Sequence, residues 1–259
     1  MKEVWCRSAL TSSKLPGIDY SLNPYIGCSH GCVYCYVPSM LRKSREEWMG
    51  KMAAKRNIPA VLRKELKSKR RGVVGISAST DAYQAAEKKY ELTRKCLLLL
   101  LKHDWPIDIL TKSPLVLRDI SIIKKFSEAK VGFTITTLNE ESRSLLEPYA
   151  PSIEERLNAM ERVSSHGIFT YAFLGPLFPE VEDKDVRQWV EILANAGVNE
   201  VIIDNFHLRG NIWEEIAKVL PEEKKRLYSE RIAGNYYEKI FLRFREGAKG
   251  KFTVLRAFM

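Results

Sequence analysis

Asn23-Pro24-Tyr25-Ile26-Gly27-Cys28-Ser29-His30-Gly31-Cys32-Val33-Tyr34-Cys35-Tyr36 carries three of the chain's five cysteines. Their spacing is Cys-x-x-x-Cys-x-x-Cys, with an aromatic residue before the third. Three thiolates on one short loop can hold three corners of a cubic iron–sulfur cluster. Clusters that only carry electrons are normally closed by four cysteines. No fourth cysteine lies nearby, so one iron would keep open coordination sites and could activate a small molecule. His30 sits inside the same loop, so a structural Cys₃His zinc site is the rival reading. Its tight Cys-x-His-x-Cys spacing makes a closed tetrahedron awkward.

Such a loop must be carried by a scaffold. At 259 residues one domain is plausible, since α/β barrels reach this size as single units. Strand patterns recur at Tyr20–Tyr25, Val73–Ser77, Ile107–Thr111, Val131–Ile135, Ile168–Leu174 and Val198–Ile203. They are short, β-branched or aromatic, and bounded by polar or Gly/Pro positions. Helical patterns separate them, near Pro59–Lys69, Ala86–Lys102, Leu117–Ser127, Ile153–Ser165 and Asp185–Ala196. Gly132, Gly167 and Gly197 suit left-handed helix caps. Six strand–helix units imply a parallel sheet with right-handed crossovers, curled into a partial (β/α)6 TIM-like barrel. Residues 1–19 read as an N-terminal segment and 20–204 as the barrel. Residues 205–259 read as a C-terminal helical and strand extension that caps it and is not independent.

The polar motifs fall where an α/β barrel places its active site, at the C-terminal ends of the strands. The cysteine loop follows the first strand. Thr80-Asp81, Lys112-Ser113, Thr136-Thr137 and Asp204-Asn205 follow later ones.

The cysteine loop resembles the signature of the radical S-adenosylmethionine (SAM) superfamily. Thr80-Asp81-Ala82-Tyr83-Gln84-Ala85-Ala86-Glu87, Leu92-Thr93-Arg94, Thr111-Lys112-Ser113 and the Glu147–Leu157 stretch are similar to its spore photoproduct lyase-related branch, often labelled DNA repair photolyase-like. That resemblance implies one [4Fe–4S] cluster on Cys28, Cys32 and Cys35, with SAM chelating the fourth iron. It implies reductive cleavage of SAM to a 5′-deoxyadenosyl radical. Tyr34 would pack near the adenine with its hydroxyl free for a hydrogen bond. Thr80 and Asp81 would meet the amino group, Lys112 the carboxylate, and Thr136 the ribose or carboxylate. Arg156 is expected to pair with Glu147 or Glu154. No internal donor is visible, so a ferredoxin- or flavodoxin-like partner is expected to supply the electron.

One departure from the family matters. True spore photoproduct lyase carries a hydrogen-donating cysteine where this chain has Ala78, so repair of that lesion is not expected. Cys96 reads as a buried structural thiol, and Cys6 as a spare thiol or part of a lid.

Charge bears on the substrate. The formal charge is +10. Between Lys51 and Arg71 nine basic residues face one acid, a net of +8. Such a stripe can bind nucleic acid by neutralising phosphates. It can equally be the solvated face of a helix that buries Ile58, Leu62 and Leu66. The expected activity is therefore radical SAM chemistry on a macromolecule, with nucleic acid as one candidate. A protein, peptide or small-molecule substrate is the alternative. A zinc-stabilised nucleic-acid-binding protein without catalysis is the alternative from another class. No apolar run reaches the length of a membrane helix, and no signal peptide is visible, so a cytoplasmic protein is expected.

Overall fold

The computed structural model describes residues 1–208 and 210–257. Arg209, Phe258 and Met259, all within the expected C-terminal extension, lie outside the described residues. In chain order the strands are β1 (Lys2–Val4), β2 (Leu10–Ser12), β3 (Tyr20–Leu22), β4 (Tyr25–Ile26), β5 (Ala53–Lys55) and β6 (Val74–Ile76). They continue with β7 (Ile107–Thr111), β8 (Ala129–Thr134), β9 (Phe169–Leu174), β10 (Glu200–Ile203) and β11 (Thr253–Arg256).

Eight strands form one open sheet in the order β11-β10-β9-β8-β7-β6-β3-β2. All neighbours in it pair in parallel except β2 with β3. A parallel order that follows the chain order requires a crossover between each pair. The six expected strands are all present. Within the expected C-terminal extension, β11 joins the parallel sheet beside β10. A small second sheet, β1-β5-β4, buttresses the cysteine loop.

Alternation along the strands builds the core. Val74, Ile76, Ile107, Ile109, Val131, Phe133, Ala172, Leu174, Val201 and Ile203 are all buried. Removing a ring such as Phe133 by substitution with Ala is expected to cost about 3–5 kcal/mol. The helix Ile58–Glu65 buries Ile58 and Leu62, as its spacing requires.

The helix expected over Ala86–Lys102 is instead two, Glu87–Tyr90 and Leu92–Lys102. Glu91 between them has φ +50°. The buried Glu87 carboxylate explains the break, because it accepts from Thr93 N at 3.0 Å and Arg94 N at 3.2 Å. It thereby caps the second helix, where a carboxylate meets the positive end of the helix dipole. The helix expected over Leu117–Ser127 is a 3₁₀ turn, Pro114–Asp119, and a short helix, Ile120–Ile123.

Gly167 and Gly197 have φ near +73°, as expected for caps. Gly132 does not cap a helix. It lies in β8, and an added Cβ would sit 2.1 Å from the Tyr171 ring. Its role is to admit that tyrosine, whose hydroxyl donates to Asp108 at 2.7 Å.

Candidate active site

The cysteine loop runs from the end of β4 over the rim formed by the C-terminal ends of β6, β7 and β8. Four contacts fix it. Gln84, fully buried, accepts from Ser29 N at 3.1 Å and donates to Gly27 O at 3.1 Å. Val33 N donates to Leu146 O at 2.8 Å, and Tyr149 N to His30 O at 3.2 Å. From outside, Arg45 donates to the carbonyls of Cys32 and Val33. Gly27 and Gly31 both adopt positive φ. A Cβ on Gly27 would lie 2.6 Å from Trp48 O, so only glycine fits that crossing.

Cys28, Cys32 and Cys35 are partly buried and unpaired. Burial pushes the Cys28 thiol up to about 12 and the Cys32 thiol up to about 11. As free thiols they would stay protonated at neutral pH, so only a strong Lewis acid would hold them as thiolates. His30 is buried, with Nδ1 3.5 Å from Asp81. Burial lowers its pKa more than Asp81 raises it, so the ring stays neutral. Among the described residues, no three His, Cys, Asp or Glu side chains converge on one ion-sized point. A single zinc needs that convergence. A cube does not, because its three cysteines bind three different irons.

The other expected residues separate into two kinds. Thr80 Oγ1 is buried and has no partner, and neither has Ser77 Oγ three residues earlier. Ser77 also holds φ +68° at the end of β6, a conformation a non-glycine residue adopts only under constraint. Two orphaned hydroxyls just past the C-terminal end of β6 fit a polar ligand that would satisfy them. Asp81 differs. Its carboxylate accepts from Tyr83 N at 2.8 Å, Thr111 Oγ1 at 2.8 Å and Lys112 N at 2.8 Å. Those bonds stitch β6 to β7 and align His30.

Lys112, Thr136 and Tyr34 converge on Glu147, which the sequence marks only as a possible partner of Arg156. Its carboxylate is fully buried. Lys112 Nζ lies 3.8 Å away, Thr136 Oγ1 donates at 3.2 Å, and Tyr34 and Arg156 both donate to it. Burial alone would raise the Glu147 pKa, but Arg156 and Lys112 hold it below the usual carboxylate range. Burial would lower Lys112, but the Cys32 sulfur and Glu147 keep it raised. The Tyr34 hydroxyl is therefore not free, as expected from the sequence, but engaged with Glu147. Its ring packs edge-on against Phe178 at 5.7 Å and Phe206 at 6.0 Å, with Lys112 Nζ 5.8 Å from its centre. Arg156 is fully buried and pairs with Glu147, one of its two expected partners; its guanidinium also donates to Thr134 O and Pro151 O. The motif Glu147-Pro148-x-Ala150-Pro151 contained the signal for Glu147. Spacing alone did not say that its carboxylate turns inward.

Ala78, at the end of β6, is exposed. Cys96 is fully buried in the helix Leu92–Lys102, and Cys6 lies on the outer flank, held by Asn57. The basic stripe begins around β5, which pairs with β4 just ahead of the cysteine loop. It covers the outer flank and ends below the sheet, where Arg71 pairs with Asp104 and Glu128, which precede β7 and β8. His207 pairs with Asp204 at 2.8 Å on the exposed side of the rim.

An open parallel α/β sheet with a three-cysteine loop over its C-terminal rim defines a class of scaffold that comparison makes specific. The Radical SAM superfamily profile matches residues 22–193, and the chain belongs to that superfamily of enzymes. Membership implies a [4Fe–4S] cluster and SAM, and such enzymes generally draw on an external electron donor. An uncharacterized protein of Methanocaldococcus jannaschii is 36% identical over 70% of this chain and 69% of its own length. A protein of Pseudomonas phage M6 named radical SAM Nalpha-GlyT isomerase is 26% identical over 82% of this chain and 45% of its own. The chain thus spans about two thirds of the archaeal relative and under half of the phage one. A spore photoproduct lyase variant solved with bound AdoMet and dinucleoside spore photoproduct shares the fold. Its TM-score is 0.73 at 15% identity, over 97% of this chain and 80% of that one. No helix among the described residues is long and apolar enough to cross a membrane.

Proposed function

We propose that the chain is a radical SAM enzyme that holds its cluster on Cys28, Cys32 and Cys35 and acts on a nucleic-acid component. The observation that carries the first part is the gathering, on one rim, of three cysteine thiols, two orphaned hydroxyls and a half-buried lysine. When bound, the cluster and SAM supply reductive cleavage of the sulfonium and a 5′-deoxyadenosyl radical.

This chain's residues supply position and exclusion. Ser77 and Thr80 have free acceptors for an ammonium group. Lys112 has a charge suited to a carboxylate, and Glu147 fixes where that charge sits. Thr136 and Tyr34 hold Glu147 from the site side. Phe178 and Phe206 back Tyr34 and keep water from that wall. Asp81 holds the Lys112 backbone and His30 directly, rather than reaching a ligand itself. A ferredoxin- or flavodoxin-like donor would deliver the electron.

The net charge of +10 supports a polyanionic substrate. The dinucleoside spore photoproduct held by the fold-related lyase supports a nucleic-acid component. Ala78 gives no hydrogen-donating thiol, which separates the proposed reaction from the lyase's.

Anaerobic reconstitution with iron and sulfide, then dithionite and SAM, tests the first part. We expect 5′-deoxyadenosine above a Cys32→Ala control; its absence would sink the radical reading. Mass spectrometry of nucleosides and peptides from a deletion strain tests the second. A missing modified nucleoside is expected, and a missing peptide modification with intact nucleosides would replace nucleic acid with protein.

A further inference from the structure

The N-terminal segment Trp5–Leu10 lies along the basic helix Ile58–Glu65. Arg56 N donates to Val4 O, Cys6 exchanges two hydrogen bonds with Asn57, and Ala9 and Leu10 N donate to Glu65. Trp5 therefore stands beside Arg56 and Asn57, and it is 83% exposed. Trp48, Trp105 and Trp189, by contrast, are buried. Among the described residues, Arg7, Arg63, Lys64, Lys67 and Arg70 are exposed and their side chains have no ion-pair or hydrogen-bond partner. Nearby Arg56 and Arg71 are already paired with acids.

We infer that this flank is a single-stranded nucleic-acid tether, with Trp5 as a stacking platform and Arg7, Arg63, Lys64, Lys67 and Arg70 as phosphate contacts. It rests on the nucleic-acid reading and gives it a second, non-catalytic surface built from residues outside the cysteine loop. A bare indole beside unpaired cations matches the two features of an unpaired strand, an exposed π-face and closely spaced phosphates. A duplex hides its base faces. A lipid surface would need an apolar face, yet Ile58, Leu62 and Leu66 all point inward.

Five phosphate contacts on a single strand predict a log–log salt slope of roughly −3.5, an affinity loss of about 100-fold between 50 and 200 mM salt. The test is fluorescence anisotropy of the full-length protein with labelled 12-nucleotide single strands, as RNA and as DNA, against the matching duplex and anionic vesicles. Trp5→Ala should weaken single-strand binding about tenfold, while Trp5→Phe should retain most of it. Arg63→Glu with Lys64→Glu and Lys67→Glu should flatten the slope by about 2. SAM cleavage with dithionite should be unchanged in all three, so loss of tethering and loss of the radical chemistry are read separately. Equal binding of duplex, preference for vesicles, or indifference to Trp5→Ala and to the charge reversal would each overturn the assignment.

Discussion

Glu87 and Glu147 are both fully buried carboxylates facing arginine, yet they serve different ends. Every Glu87 contact is internal to the scaffold. It takes Tyr25, two helix N–H groups and Arg118 at 2.7 Å, and Arg118 goes on to Asp119 at 2.9 Å. Glu147 shares one oxygen among Tyr34, Thr136 and Lys112, and gives the other to Arg156. The Glu87 network closes on itself. The Glu147 network ends in Lys112, whose ammonium lies 3.8 Å from the carboxylate, beside the cysteine loop. A buried charge whose partners are all structural fixes architecture; one whose partners point at a rim sets up a site.

The largest effect that would break this contrast is expected at Glu147. Glu147→Ala leaves Arg156 and Lys112 uncompensated, which should cost about 3–5 kcal/mol of stability and abolish measurable SAM cleavage. Glu87→Ala should destabilise by a similar amount, about 3–5 kcal/mol, yet leave cleavage per folded molecule near wild type. Denaturant titration together with 5′-deoxyadenosine yield measures both. Equal losses of yield per folded molecule would erase the distinction.

Lys112→Met comes next. It removes the cation that faces the rim but leaves Arg156 on Glu147. SAM affinity should fall about 10- to 100-fold, in line with the loss of a charged hydrogen bond, with little change in stability. Equilibrium dialysis of the reconstituted protein with SAM measures it. Unchanged affinity would make Lys112 a structural counter-ion like Arg118.

Much of this division was legible in the sequence, and the remainder had a common cause. β7 was read at its exact limits, because Ile107–Thr111 is a β-branched run bounded by Pro106 and a polar turn. The rim residues followed from strand ends. Glu87 was quoted only as a motif letter and Glu147 only as a possible partner of Arg156, since their wider roles depend on partners as far away as Tyr25 and Tyr34 in the sequence. Gly132 was misread because its neighbour, Tyr171, comes from the adjacent strand. Trp5 carried no signal until the N-terminal segment was seen to run beside the basic helix. Local periodicity fixes elements, but long-range side-chain bonds decide which charges are structural.

The pH dependence of stability sharpens the same contrast. The Glu147 pKa is depressed in the folded chain. Its contribution is therefore fully present above the unfolded value of about 4.3 and is lost as pH falls through the folded one. The stability gap between wild type and Glu147→Gln, in cluster-free protein, should be constant from neutral pH to about 5 and shrink below about 4.3. A gap that persists unchanged to pH 3 would mean that the carboxylate's charge contributes nothing there.

The smallest effect is expected one step from the hub. Ser152 caps the helix Ile153–Ser164 in a reciprocal box with Glu155, its N–H donating to Glu155 at 2.8 Å. That helix carries Arg156, and Pro151 O, just before the cap, accepts from Arg156 Nε at 3.0 Å. Ser152→Ala should therefore cost about 1 kcal/mol, the usual loss of a cap. It should not lower SAM cleavage, because Arg156 keeps Glu147 and Thr134 O as anchors on the far side. If cleavage falls with so small a loss of stability, the Glu147 network depends on the exact pose of this helix, and the boundary between scaffold and site lies further out than the buried charges suggest.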